Sequence, residues 1–214
     1  MIKNILHFLS ELKQNNNREW FAENKEWYNQ VKIEFEQLGA NLITEISKFD
    51  EDIKHVEVKD CVFRIYRDVR FSHDKSPYKT HFGIYIASNG GRKSQRGGYY
   101  LHLDPDKSFV GCGVWMPQPD VIKALRQSIY DNIEEFIEIL NNPEFKRNFP
   151  TLTDEGKMKK IPLGFPADFP YAEILKNKSF LVDYELTNED LNSDNFIQII
   201  TNLSRTSHPF LSFL

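Results

Sequence analysis

The sequence predicts an α+β protein built on an antiparallel meander of about four strands, with helices from both ends of the chain packed on the apolar face of the sheet. Three observations carry this expectation. Apolar residues recur at spacings of three and four near both ends of the chain, and they alternate every second residue in between. The connectors between the alternating stretches are short, which antiparallel pairing allows and a parallel crossover of about a dozen residues or more does not. A chain of 214 residues can bury a sizeable core, and it is read as a single domain, residues 1–214.

Residues 1–48 are expected to be helical. "MIKNILHFLSELKQ" is amphipathic; its one apolar run, "ILHFL", is too short for a secretory leader and is followed by Glu11 and Lys13 with no small-residue cleavage site. In "NREWFAENKEWYNQVKIEFEQLGANLITEIS", Trp20, Trp27, Val31, Phe35, Leu38, Leu42 and Ile46 fall on one face. Asn17 suits the N-cap, and Glu19 the positive end of the helix dipole. Gly39 permits a break, because a mid-helix glycine costs about 1 kcal/mol relative to alanine.

Residues 56–116 are expected to form the sheet from four segments, "VEVKDCVFRIYRD", "HFGIYIAS", "GGYYLHLD" and "SFVGCGVWM", separated by "SHDKSPYK", "NGGRKSQR" and "PDK". Residues 119–141 read as one helix, with Val121, Leu125, Ile129, Ile133, Phe136, Ile137 and Leu140 on a broad apolar face. Residues 142–185 carry five prolines and read as an irregular lobe, too apolar and aromatic to be a linker. Residues 193–214 read as a helix followed by a docked segment carrying Phe210, Leu211, Phe213 and Leu214.

Alternation sorts the strand side chains into two sets. Phe63, Ile65, Phe82, Ile84, Ile86, Leu101, Leu103, Val110, Cys112 and Val114 form an apolar set that faces the helices. The opposite set is Arg64, Tyr66, Asp68, His81, Gly83, Tyr85, Tyr100, His102, Asp104, Gly111 and Gly113. A merely solvated face usually carries Lys, Glu, Thr and Ser. This one offers Arg, His and Tyr, which make oriented hydrogen bonds, and glycines that leave open space.

Charge points to the same face. Residues 64–96 hold eight Arg and Lys against two Asp, a local +6 in a chain of net charge −4, leaving −10 for the remainder. Such a concentrated field suits a small anion drawn to one place. Arg64, Arg67 and Arg70 can offer planar, bidentate donors to phosphate or carboxylate, with Asp68 to orient them. The expected ligand-binding set is therefore Arg64, Arg67, Asp68, Arg70, Lys75, Tyr78, His81 and His102. His81, His102, Asp68 and Tyr78 are the candidates for acid–base chemistry. The bland alternative is an Arg–Asp network that only braces the fold.

Other chemistries find less support. His81, His102, Asp68, Asp74 and Asp104 are potential ligands, but no HExxH, CxxC or EF-hand spacing is present, so no metal site and no cofactor are expected. Cys61 and Cys112 read as core thiols of a cytoplasmic protein. GxSxG is absent, and Ser72 and Ser76 read as turn residues around Pro77. "ASNGGRKSQRGG" lacks GxxxxGK[ST] and reads as a hairpin tip. Aromatics interleaved with basic residues also suit a single-stranded nucleic acid, an alternative that the acidic net charge disfavours. No stretch approaches the roughly 20 apolar residues of a membrane span.

Arg64, Arg67, Asp68, Arg70, Phe71, Asp74, Lys75 and Tyr78 stand in the spacing R-x-x-R-D-x-R-F-x-x-D-K-x-x-Y. On this block, and on "NNNREWF", "YYLHLDPDKSFVGCGVWMPQP", "PLGF" and "YAEILKNKSF", the chain resembles a bacterial and fungal family known as the domain of unknown function numbered two-four-six-one. The resemblance covers most of the chain. It implies a single-domain member and no particular activity.

Overall fold

The computed structural model describes residues 1–154 and 156–214. The chain opens with α1 (Ile2–Gln14), α2 (Arg18–Glu23) and α3 (Lys25–Ile46), followed by a short α4 (Val58–Cys61). Then come β1 (Phe82–Ile86), β2 (Gly98–Leu103) and β3 (Phe109–Val114). The second half holds α5 (Pro119–Asp131), α6 (Ile133–Asn141), α7 (Pro143–Asn148), α8 (Ala172–Leu175), β4 (Phe180–Glu185), α9 (Asn188–Asn192) and α10 (Phe196–Phe213). The four strands form one antiparallel sheet in the order β1-β2-β3-β4.

Period-two alternation buries one face of this sheet. Phe82, Ile84 and Ile86 of β1, Leu101 and Leu103 of β2, Val110 and Cys112 of β3, and Phe180 and Val182 of β4 are all in the core. Helix α3 packs on β1 and α10 on β3, and the two helices pack on each other. The helices from both ends of the chain thus cover the apolar face. Each buried Leu, Ile or Phe contributes about 1.5–3 kcal/mol of transfer free energy. Phe35 of α3 stacks on Phe82 at 5.1 Å between ring centroids. Helix α3 runs unbroken through Gly39, whose missing side chain lets Ile84 of β1 come up against the helix backbone. Asn17 caps α2 as the sequence suggests, its side chain accepting from the Trp20 amide at 2.8 Å.

The first expected strand is different. Residues 58–61 form a helical turn, and Arg92 reaches across to donate to the carbonyls of Lys59 at 2.7 Å and Val62 at 2.9 Å. A guanidinium that takes up terminal helix carbonyls favours the turn over a strand. Beyond it the chain only brushes the sheet, through the bridge of Val62 to Ile84 and a hydrogen bond from Phe63 N to Gly83 O at 3.0 Å. Ile65 is buried as expected. Phe63 is not with the core set: its ring meets Tyr100 edge-on at 6.2 Å, on the other face.

The fourth strand lies instead inside the expected irregular lobe, where "FLVDYE" pairs with β3. The helix expected over residues 119–141 breaks at Asn132, whose side chain bonds back to the Ser128 carbonyl at 3.0 Å and competes with the helix ladder. No helix among the described residues is long and apolar enough to cross a membrane.

Candidate functional site

Strand register assembles the polar face. Gly83 lies opposite His102, Tyr85 opposite Tyr100, and Tyr100 opposite Gly111. One further step of the β1–β2 register sets His81 opposite Asp104, so His81 and His102 are diagonal neighbours on one face. Their ring centroids are 4.3 Å apart. His81, His102 and Asp104 are each half-buried, and one ligand atom from each lies within 4.8 Å of the others. Linear ligand spacings are absent from the sequence, which therefore predicts no metal site. Strand pairing brings these three groups together without any such spacing.

The pair is held from both sides. His102 stacks on Phe109 at 4.8 Å and 19°. Its Nδ1 lies 2.9 Å from the Tyr100 hydroxyl. Tyr100 can lean along the face only because position 83 is glycine: a Cβ there would lie 2.7 Å from the phenol oxygen. Burial, and then the neighbouring His81, push the His102 imidazole down to about 4 against the opposing pull of Asp104. Burial, then Lys79, also push His81 down. Both rings are neutral near pH 7. Burial raises the Tyr100 phenol to about 12, so it too is neutral.

Lys79 completes this corner. Its ammonium lies 5.4 Å over the Phe63 ring. Burial, then Arg64, push its pKa down, with no Asp or Glu of the described residues offsetting them. Arg64 is exposed on the same edge.

The other expected site residues sit in a self-contained loop. Arg67 N donates to Pro77 O at 3.0 Å and closes the loop neck. Within it, the Arg67 guanidinium pairs with Asp74 and donates to Ser76 O at 3.3 Å. Asp74 also accepts from the Ser76 amide at 2.9 Å and its hydroxyl at 2.6 Å. Asp68 hydrogen-bonds Arg70, through Nε at 2.9 Å and a terminal nitrogen at 2.6 Å, and its charge also reaches Arg64. It therefore does not orient all three arginines. Lys75 donates to Val69 O at 3.0 Å. Tyr78 is a core residue, stacked on Phe21 at 3.9 Å and 13°, with Asn16 bonded to both its backbone N–H and its C=O. Phe71, at the loop tip, is 95% exposed.

Of the eight residues expected to bind a ligand, the structure brings together His81 and His102, with Arg64 at the margin. Arg67, Asp68, Arg70 and Lys75 make contacts internal to the loop. The expected glycine patch is closed: Gly111 is buried, with the Phe109 ring and the Val182 carbonyl each 3.7 Å from the position of a Cβ, and the backbone of β4 at Phe180 covers that position on Gly113. The hairpin tip also turns elsewhere, with Arg92 capping α4 and Arg96 3.7 Å from Asp52.

A second polar group, unmarked by the sequence reading, lies on the apolar side of the sheet. The Tyr99 hydroxyl donates to buried Asp50 at 3.0 Å and lies 2.9 Å from Nδ1 of His208 in α10. Nε2 of the same ring is 3.4 Å from the Ser212 hydroxyl. These groups border a cavity of about 440 Å³ that is otherwise lined largely by apolar side chains such as Ile86, Val121 and Leu211. The one signal in the sequence is Tyr99 itself: a tyrosine on an otherwise apolar strand face needs a buried partner for its hydroxyl. Cys61 and Cys112 are buried and unpaired, and burial raises their thiols to about 11 and about 12, which makes them inert.

No curated protein and no solved structure matches the chain significantly. The family model described as Conserved hypothetical protein (DUF2461) matches residues 4–213, nearly the whole chain, which therefore belongs to that family.

Proposed function

We propose that this chain binds a small phosphorylated or carboxylated molecule on the polar face of its sheet, at the corner formed by Lys79, His81 and His102 with Arg64 at its edge. The observation that carries this reading is Lys79. Its ammonium is half-buried beside a second cation, Arg64, and no acidic group of the described residues pairs with it. An unpaired buried charge costs stability, and an arriving anion offsets that cost. Arg67, whose charge Asp74 already meets, is a loop brace in this reading, and Arg70, paired with Asp68 at the surface, is a bystander. The setting is cytoplasmic, in keeping with two unpaired thiols.

The test is a thermal-shift panel of phosphate, pyrophosphate and citrate on wild type and Lys79→Met. At least one anion should raise the Tm of wild type and not that of the variant. Equal shifts in both proteins refute the assignment of the site.

A second reading, single-stranded nucleic acid, draws on the exposed Phe71 ring with Arg70 5.9 Å from its centroid. Such a contact would stack bases and weaken steeply with salt. Anisotropy with a labelled oligonucleotide decides it: tight binding that persists near ~0.2 M salt and is lost in Phe71→Ala favours the nucleic acid.

A further inference from the structure

We infer that His81, His102 and Asp104 form a binding site for one divalent transition-metal ion of the zinc, cobalt or iron class. The inference rests on the reading that this face of the sheet is the functional one, and it deepens that reading by naming what the anion would meet there.

The geometry supplies two of the three donors, His102 and Asp104, with a remaining partner already in place. His102 commits Nδ1 to the Tyr100 hydroxyl, which leaves Nε2 for a metal. Metal-binding imidazoles characteristically use one nitrogen for the ion and anchor the other in this way. Phe109 stacks on the His102 ring and fixes its plane, and the His81 ring centroid lies 4.3 Å from that of His102. Asp104 accepts from the Asp106 amide at 2.8 Å through Oδ1, leaving Oδ2 available, and its own amide is held by the Ser108 hydroxyl at 3.0 Å. Donors now up to 4.8 Å apart must close by about 1–1.5 Å to reach metal bonds of roughly 2.0–2.2 Å.

The donor set selects the metal class. Two imidazoles and one carboxylate suit zinc, cobalt and iron, whereas calcium and magnesium take oxygen ligands. Three protein ligands leave at least one coordination position open. Lys79, on the His81 side, disfavours a bare dication but favours an ion that carries an anionic ligand, so a phosphate or carboxylate in the open position would be met by both charges.

The experiment is titration of chelator-treated protein with Zn²⁺ by calorimetry and with Co²⁺ by visible absorbance. The proteins are wild type, His102→Gln, Asp104→Ala and His73→Ala, each checked for folding by circular dichroism. We expect one ion per chain in wild type and His73→Ala, with ligand-field bands for Co²⁺, and at least a tenfold weaker affinity in His102→Gln and Asp104→Ala. Absence of stoichiometric binding by folded wild type, or unchanged binding in both folded ligand variants, overturns the inference. Phosphate is then titrated into the metal-free and the metal-loaded protein. If phosphate stabilises the metal-free protein and neither metal binds, the metal inference falls and the anion reading stands. If the metal binds as expected and phosphate has no effect on either form, the metal inference stands and the anion reading falls.

Discussion

Tyr99 and Tyr100 are adjacent in β2, yet their hydroxyls serve opposite faces of the sheet: Tyr99 donates to Asp50 in the core at 3.0 Å, and Tyr100 meets His102 on the polar face at 2.9 Å. The relationship separates what holds the fold together from what shapes the site. Removing the Tyr99 hydroxyl leaves a buried carboxylate short of a donor, and a lost hydrogen bond to a charged group costs about 1.5–3 kcal/mol. Tyr99→Phe should therefore destabilise by that amount in urea denaturation. Tyr100→Phe, which loses one neutral bond at a half-buried position, should cost about 1 kcal/mol or less. Equal costs would show that the two hydroxyls are not divided between scaffold and site.

Gly83→Ala tests the packing beneath the site. The added methyl falls 2.7 Å from the Tyr100 oxygen, so the phenol must swing away and His102 loses its anchor. Nitrogen NMR of the His102 ring should show a changed balance between the two neutral tautomers, with the rest of the sheet unperturbed. An unchanged His102 spectrum would mean that Tyr100 does not set the ring's tautomer.

The loop arginines should separate in hydrogen exchange. Arg67→Ala removes the guanidinium that ties Asp74 and Ser76 O together, so the amides of Arg67 and Lys79, which close the neck of the loop, should exchange faster. Arg70→Ala removes an exposed pair with Asp68 and a contact with the exposed Phe71 ring, and should leave those amides as they are. The opposite ranking would contradict the division into brace and bystander.

Asp74 offers a pH test. The Ser76 hydroxyl and amide, then Arg67, hold its carboxyl well below the ordinary 3.8. The sign follows from that depression: the stabilisation is present above the ordinary carboxylate pKa and disappears as pH falls through the lower, folded-state value. The loop should stay ordered as pH passes through 3.8 and open only below it. Carboxyl-carbon NMR should place the Asp74 midpoint below 3.8 in wild type and nearer to it in Ser76→Ala. A normal wild-type midpoint would mean the loop bonds are not formed in solution.

How much of this was legible in the sequence depended on whether a signal was local. Alternation in "HFGIYIAS" and "GGYYLHLD" correctly sorted Ile84 and Leu101 from His81, His102 and Asp104, because side-chain direction follows from strand period alone. The same period misread "VEVKDC", where the distant Arg92 stabilises a helical turn. It also overlooked "FLVDYE", a true strand that follows a proline-rich stretch. The arginine block was conspicuous as a motif, but its partners lie within a dozen residues of it: Asp68 and Asp74 satisfy Arg70 and Arg67 where they stand. The Asp50–Tyr99–His208 group had almost no signature, since its members are 49 and 109 residues apart and meet only when α10 docks on the sheet.

The central claim, a small-anion site at Lys79, His81 and His102, is tested most directly by following the histidine ring resonances of the metal-free protein during titration with pyrophosphate at constant pH and ionic strength. The account predicts saturable shifts at His81 and His102, none at exposed His55 and His73, and loss of those shifts in Lys79→Met. Ring resonances at His81 and His102 that stay fixed up to millimolar pyrophosphate, or that shift equally in Lys79→Met, would contradict it.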